Sequence, residues 1–427
     1  MMKINPDQNN PVYYFNLDKE KGVVAPQNNP LASEIDTNKD MFISDEELKS
    51  YLTEKKILKD PSKFATDEKQ IVEDFKITLE GKPLPQKVAY HTYEQITEDM
   101  RVLAKKYPEN CALISLGKTA EGRDIWALKI SSGAQGDTSK KPGVVFTGLH
   151  HAREWVTAEE PLYLAKQLLE NYNSNPDMKR RVDEAEIWVV PVVNPDGFVY
   201  SMEKDPWWRK NRRPLTSEDI PHKGGNIIAY GVDPNRNYWD GDPAHIELYR
   251  PKGDTPGSTW DDEGASDDPR SDDFRGPYGA SEKEIQSLIN FELKHNNIKG
   301  VIDLHSYGEL LLYPWGHTYE GPENEAEYKE LGKKMQAAMT TPYKLMQSAN
   351  LYPTSGSSED FHQINKRLTF TIEMGRSFQP KPDEIQKICS EVFKANMVFL
   401  DWILGKNKLQ EASNSKNLDY LIAEPKN

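Results

Sequence analysis

Between residues 86 and 405 the chain alternates short, apolar, β-branched runs with longer stretches of helical periodicity, and this alternation narrows the fold more than any other feature. Strands are expected at 112–116, 125–130, 143–146, 187–193, 301–304 and 368–372, and helices at 92–106, 158–172, 282–295, 325–339 and 383–404. Such a pattern makes one α/β domain with a mixed sheet sandwiched by helices. In open sheets of this class, sites form outside the carboxyl ends of the strands.

Two of the runs end in side chains that suit a metal. Gly143-Val144-Val145-Phe146-Thr147 leads into Gly148-Leu149-His150-His151-Ala152-Arg153-Glu154-Trp155, and Gly300-Val301-Ile302-Asp303-Leu304 leads into His305-Ser306-Tyr307. His151, Glu154 and His305 make up the two-histidine, one-carboxylate set of a catalytic Zn²⁺ site, which keeps a fourth position for water. A lone His-x-x-Glu is common by chance, so the weight rests on what accompanies it.

Four further segments follow in order: Trp208-Arg209-Lys210-Asn211-Arg212, Gly231-Val232-Asp233-Pro234-Asn235-Arg236-Asn237, Leu351-Tyr352-Pro353-Thr354-Ser355-Gly356-Ser357-Ser358-Glu359-Asp360, and Leu368-Thr369-Phe370-Thr371-Ile372-Glu373-Met374. With the first two, they resemble the zinc metallocarboxypeptidases of the carboxypeptidase A/B type, from about residue 90 to about residue 404. The resemblance implies hydrolysis of the last peptide bond of peptides or proteins, whose C-termini are then the partners.

It also implies roles. His151, Glu154 and His305 would hold zinc, and Glu373 would be the general base. Arg209 would polarise the carbonyl; without the resemblance it reads as part of a solvated basic run with Lys210, Arg212 and Arg213. Asn235 and Arg236 would grip the substrate's free carboxylate, Tyr352 would close over it, and Arg153 would contact substrate beside the zinc ligands.

Seven residues after the mobile tyrosine, the family places a residue deep in the pocket for the terminal side chain. Here that residue is Glu359, and a buried carboxylate needs a cationic partner, so a C-terminal Lys or Arg is the expected leaving residue. Leu312, Thr354 and Thr371, at other wall positions, are uncharged. The alternatives are hydrophobic or broad terminal specificity, or a relative that trims cell-wall peptides. A silent binding module would be expected to lose Glu373 or a ligand.

With 54 basic and 68 acidic residues the net charge is −14, which argues against nucleic acid or an anionic membrane as partner. No apolar run approaches transmembrane length, and Met1-Met2-Lys3-Ile4-Asn5-Pro6-Asp7 lacks the apolar stretch of a secretory signal, although the resemblance favours secretion. A monomer is favoured. Cys111 and Cys389 are expected to be free and buried.

Residues 1–85 have a separate character, polar and then helical, and would form a propeptide or a regulatory module. Within them, loop 36–47 places Asp36, Asn38, Asp40, the Phe42 carbonyl, Ser44 and Glu47 as in an EF-hand, implying Ca²⁺. Met41 stands where the sharp turn favours Gly. The same residues also read as a capping box, Ser44-Asp45-Glu46-Glu47, opening a helix. Between Asn237 and Tyr278 lies an irregular acidic insertion, a candidate rim of the active-site funnel. Residues 406–427 form a polar tail.

Overall fold

The computed structural model describes residues 17–18, 22–24, 30–39, 42–216, 219, 229–249 and 264–422. The chain divides into two compact units, Met1–Val88 and Ala89–Asn427.

In the first unit, β1 (Leu17–Asp18), β2 (Gly22–Val24) and β3 (Phe42–Ile43) pair antiparallel in that order. Helices span Pro30–Ile35, Asp45–Glu54 and Glu68–Leu79. Their apolar faces, with Ile43 of β3, supply a small core that includes Ala32, Ile35, Leu48, Leu52, Ile71 and Phe75. The second helix opens on the expected capping box: Ser44 Oγ accepts from Glu47 N, and the Glu47 carboxylate accepts from Ser44 N at 3.0 Å.

The second unit is built on an eight-stranded sheet made of β4 (Cys111–Lys118), β5 (Asp124–Ile130), β6 (Gly143–Gly148), β7 (Glu186–Val190), β10 (Ile298–His305), β11 (Leu310–Tyr313), β12 (Lys344–Gln347) and β13 (Leu368–Glu373). Two-residue strands β8 (Pro214–Leu215) and β9 (Ala229–Tyr230) pair apart from it. The order is β12-β11-β13-β10-β6-β7-β5-β4. Helices Tyr93–Lys106, Val156–Glu170, Lys283–Lys294, Glu325–Ala338 and Pro382–Ile422 flank the sheet. Every residue of β6, β7 and β13 is buried, which is why these strands read as continuous apolar runs without alternation.

The structure departs from the sequence expectation in several places. β7 stops at Val190 because Pro191, which has no N–H, follows it. The four-residue strands β11 and β12 were too short to stand out by periodicity. The last helix runs on to Ile422, through most of the stretch read as a tail. Among the described residues no helix is long and apolar enough to cross a membrane.

The central parallel register positions the site. Leu304 of β10 lies opposite Gly148 of β6, and His305 lies opposite Glu373 of β13. Three strand ends thus reach the same edge together.

Candidate metal centre and substrate site

The turn after β6 is forced into shape by its neighbours. A Cβ on Gly148 would collide with the Thr157 carbonyl oxygen, and Leu149 adopts φ 58°, a left-handed conformation that costs an L-residue energy. The chain thereby reverses and presents His151 and Glu154 to the end of β10. The metal-suited atoms of His151, Glu154 and His305 lie within 4.8 Å of one another, and all three residues are buried.

Glu154 Oε1 is 2.8 Å from His151 Nδ1, Oε2 is 3.1 Å from His305 Nδ1, and Oε2 also accepts from Ser306 N at 3.1 Å. The two Nδ1 atoms face each other at 3.1 Å. Two imidazole nitrogens turned toward one carboxylate in a dry site are what a divalent cation requires. His151 Nε2 lies 3.1 Å from Asp233 Oδ1; with the proton on Nε2 it donates to that carboxylate, and the Nδ1 lone pair then faces inward. Burial alone would raise the pKa of Glu154, but His151 and His305 more than offset it and hold the carboxyl well below its usual range.

The other expected site residues gather around this centre. Glu373 ends β13 and is buried beside His305. Arg209 grips Asp233 Oδ2 through Nε at 2.9 Å and Nη2 at 2.8 Å, so one carboxylate orders both a ligand and the guanidinium. Asn235 Nδ2 is 3.3 Å from His305 Nε2, and its Oδ1 accepts from Ser358 N at 2.8 Å. Arg236 donates through Nη1 to the Asn235 carbonyl at 2.7 Å and through Nε to that of Gly264. Tyr352 is half-buried, and burial pushes its phenol up to about 12 against the opposing pull of Arg236 and Arg209. Arg153 turns away from the ligands, donating to Asp272 at 3.0 Å and lying 4.5 Å over the Phe378 ring.

Glu359 sits in a buried polar pocket. Its Oε1 accepts from Ser348 Oγ and its Oε2 from Thr371 Oγ1 at 2.6 Å. Thr371 lies opposite Leu312 in the β11–β13 ladder. Gly316 packs closely against the carboxylate, since a Cβ there would stand only 2.9 Å from Glu359 Oε1 and 2.6 Å from Thr354 Oγ1. Thr354 Oγ1 and Ser357 Oγ are buried without a hydrogen-bond partner. Burial, then the neighbouring Asp360, raises the pKa of Glu359 above the usual carboxylate value.

Loop 36–47 looks different. Asp36 is buried, Asn38 is exposed, Phe42 lies in β3, and Ser44 and Glu47 form the cap; Asp40 lies outside the described residues. Glu47 Oε1 accepts from Thr37 N at 3.0 Å and Asn38 N at 3.2 Å. Among the described residues, His151, Glu154 and His305 are the only group of three or more acidic, imidazole or thiol side chains placed to share an ion. Cys111 and Cys389 are free and buried.

Sequence reasoning passed over Asp233 although its segment was quoted; the signal was an acidic residue beside the Asn-Arg pair, which alone does not reveal that it backs a ligand. Ser348 carried no motif at all.

A buried His₂Glu centre at the carboxyl ends of a mixed sheet defines a metallohydrolase. The family model described as zinc carboxypeptidase matches residues 96–395. Carboxypeptidase A1 of Mus musculus is 31% identical over 356 residues, covering 81% of this chain and 77% of that protein. Carboxypeptidase A1 of Rattus norvegicus is 33% identical over 323 residues, covering 73% and 70%. Among solved structures, the carboxypeptidase A from Helicoverpa armigera superposes with a TM-score of 0.63 at 26% identity, covering 75% of each chain. Thrombin-activatable fibrinolysis inhibitor shares the fold, with a TM-score of 0.63 at 24% identity and coverage of 74% and 75%. The chain belongs to the zinc carboxypeptidase family.

Proposed function

We propose that this zinc carboxypeptidase preferentially removes lysine or arginine from the C-termini of peptides and unfolded proteins. Glu359 carries the reading. Its carboxyl is buried with hydroxyl partners only, none of them a counter-charge, and burial with the neighbouring Asp360 raises its pKa. An incoming ammonium or guanidinium supplies the missing counter-charge.

The proposed division of labour follows the geometry. His151, Glu154 and His305 would hold Zn²⁺, which when bound would supply an activated water and polarisation of the scissile carbonyl. Glu373 takes the proton of the attacking water and passes it to the leaving amine. Arg209, ordered by Asp233, donates to the oxyanion. Asn235 and Arg236 bind the terminal carboxylate and Tyr352 covers it; Arg153, the expected substrate contact beside the zinc ligands, is engaged by Asp272. In the first unit, Asp36, Asn38, Asp40, the Phe42 carbonyl, Ser44 and Glu47 are proposed to hold Ca²⁺; the loop spacing and the helices on either side of it support this.

The test compares kcat/KM for peptides that differ only in a terminal Lys, Arg, Phe or Leu, in the native chain and in Glu359→Gln. A buried charge pair implies a basic preference of about 2 kcal/mol or more, roughly 30-fold, lost in the variant. A native enzyme that favours Phe or Leu overturns the proposed preference.

A further inference from the structure

We infer that Asp272 is a specificity-determining residue for the part of the substrate upstream of the scissile bond, favouring basic side chains there and disfavouring acidic ones; this rests on the carboxypeptidase reading above. The acidic insertion does more than rim a funnel. Its residues 264–273 dock onto four cations that flank the metal ligands. Arg236 Nε donates to the Gly264 carbonyl, Lys210 Nζ to that of Pro269 at 2.8 Å, Arg153 Nη1 to Asp272 Oδ2 at 3.0 Å, and Arg209 Nη2 approaches Asp273 Oδ1 at 3.4 Å. Gly264 packs 3.1 Å from Tyr352 Cδ2, measured from the Cβ it lacks, and that Cβ would collide with the Pro353 carbonyl. The insertion is therefore fitted to the substrate-binding loop.

Its acids are not equivalent. Asp267 is bonded to Arg275, Asp268 to Arg270, and Asp273 is buried against Arg209. Asp272 keeps 42% of its side-chain surface in solvent while its partner Arg153 keeps 2%. Arg153 is further pinned by the Trp207 carbonyl at 3.3 Å and by the Phe378 ring. A guanidinium so enclosed cannot turn outward to meet an acidic substrate side chain; the charge that faces solvent is that of Asp272. Asp205 lies nearby, half-buried, its pKa raised first by desolvation and then by Asp272.

The terminal side chain has its own pocket of Gly316, Ser348, Glu359 and Thr371. Arg153 sits between two metal ligands in the chain and contributes to none of that pocket, so the rim it supports serves the residues that precede the scissile bond. A half-exposed carboxylate at that rim attracts a cation and repels an anion, and selects by both effects.

The experiment fixes one terminal residue and varies the two preceding positions among Lys, Ala and Asp. Exposed charge interactions imply that the native enzyme favours Lys over Asp in kcat/KM by about three- to tenfold, mostly through KM. Asp272→Asn should bring that ratio within about twofold, Asp272→Glu should restore it, and about 0.5 M NaCl should shrink it in the native enzyme. A flat upstream profile in the native enzyme, or one unchanged in Asp272→Asn, overturns the inference. Release of no residue from any peptide would instead overturn the carboxypeptidase reading beneath it.

Discussion

The ends of β6 and β10 and the loop 36–47 each gather partners around a glutamate, yet they do so by opposite means. At the strand ends, parallel register brings His151 and Glu154 to His305 from 151 or more residues away, in a buried site with ligand atoms within 4.8 Å. Glu154 meets two imidazoles there. In the loop, Glu47 meets backbone N–H groups of Thr37, Asn38 and Ser44, all within ten residues of it. A sheet fixes ligand separations before any ion arrives, because its register is set by the whole core. A loop offers its carboxylate local donors first, so an ion must compete with hydrogen bonds already made.

The comparison breaks most readily at the second layer of the metal centre. If the strand ends hold a preformed site, its orientation rests on the bond from His151 Nε2 to Asp233. Asp233→Asn should weaken zinc binding by about 10–100-fold, read by competition with a chromophoric chelator. Unchanged zinc affinity would mean that ligand positions are set by the backbone alone.

A second buried glutamate sharpens what the imidazoles do. Glu160 lies six residues after Glu154, on the helix that follows the ligand turn, and burial pushes its carboxyl up to about 8. Asn396 Nδ2 donates to its Oε1 at 3.0 Å, and its Oε2 is buried without a partner. A raised folded-state pKa means that the fold favours the protonated form. Its contribution to stability is therefore full below the ordinary carboxyl value of about 4.5 and is lost as pH rises through about 8. Glu160→Gln should raise Tm at about pH 9 by about 2–4 °C and change it little at about pH 5. Glu284, also pushed up to about 8 by burial and by Glu282, leaves part of the alkaline loss in the variant. A Tm gap that does not grow with pH would show that Glu160 is ionised without cost.

The contrast also explains what could be read from the chain alone. His151, Glu154, His305 and Glu373 were legible because each closes or follows an apolar run, and strand ends in an α/β sheet point to one crevice. Asp233 and Asp272 were not, because their partners His151 and Arg153 lie 82 and 119 residues away, and no local pattern reports a pairing made by tertiary packing. Four-residue strands such as β11 are invisible for a related reason: their burial comes from β13 and β12 on either side, not from their own periodicity. The capping box at Ser44 was legible because both its bonds are local.

That local legibility is also why loop 36–47 yields the smallest expected effect. Met41 at the position of the sharp turn and the hydrogen bonds already drawn to Glu47 both work against tight binding. A dissociation constant of about 10⁻⁴–10⁻³ M would let about 1 mM Ca²⁺ stabilise the folded first unit by about 0.4–1.4 kcal/mol. Calorimetric titration and thermal melts of the full chain would read this, with Glu47→Gln removing both heat and shift while His151, Glu154 and His305 still bind zinc. Absence of heat above dilution at millimolar Ca²⁺ would leave Glu47 as a helix cap and nothing more. In that case the ten-residue spacing is satisfied by local N–H and hydroxyl donors alone, and ligand order in a sequence counts for less than the donors that the fold places against it.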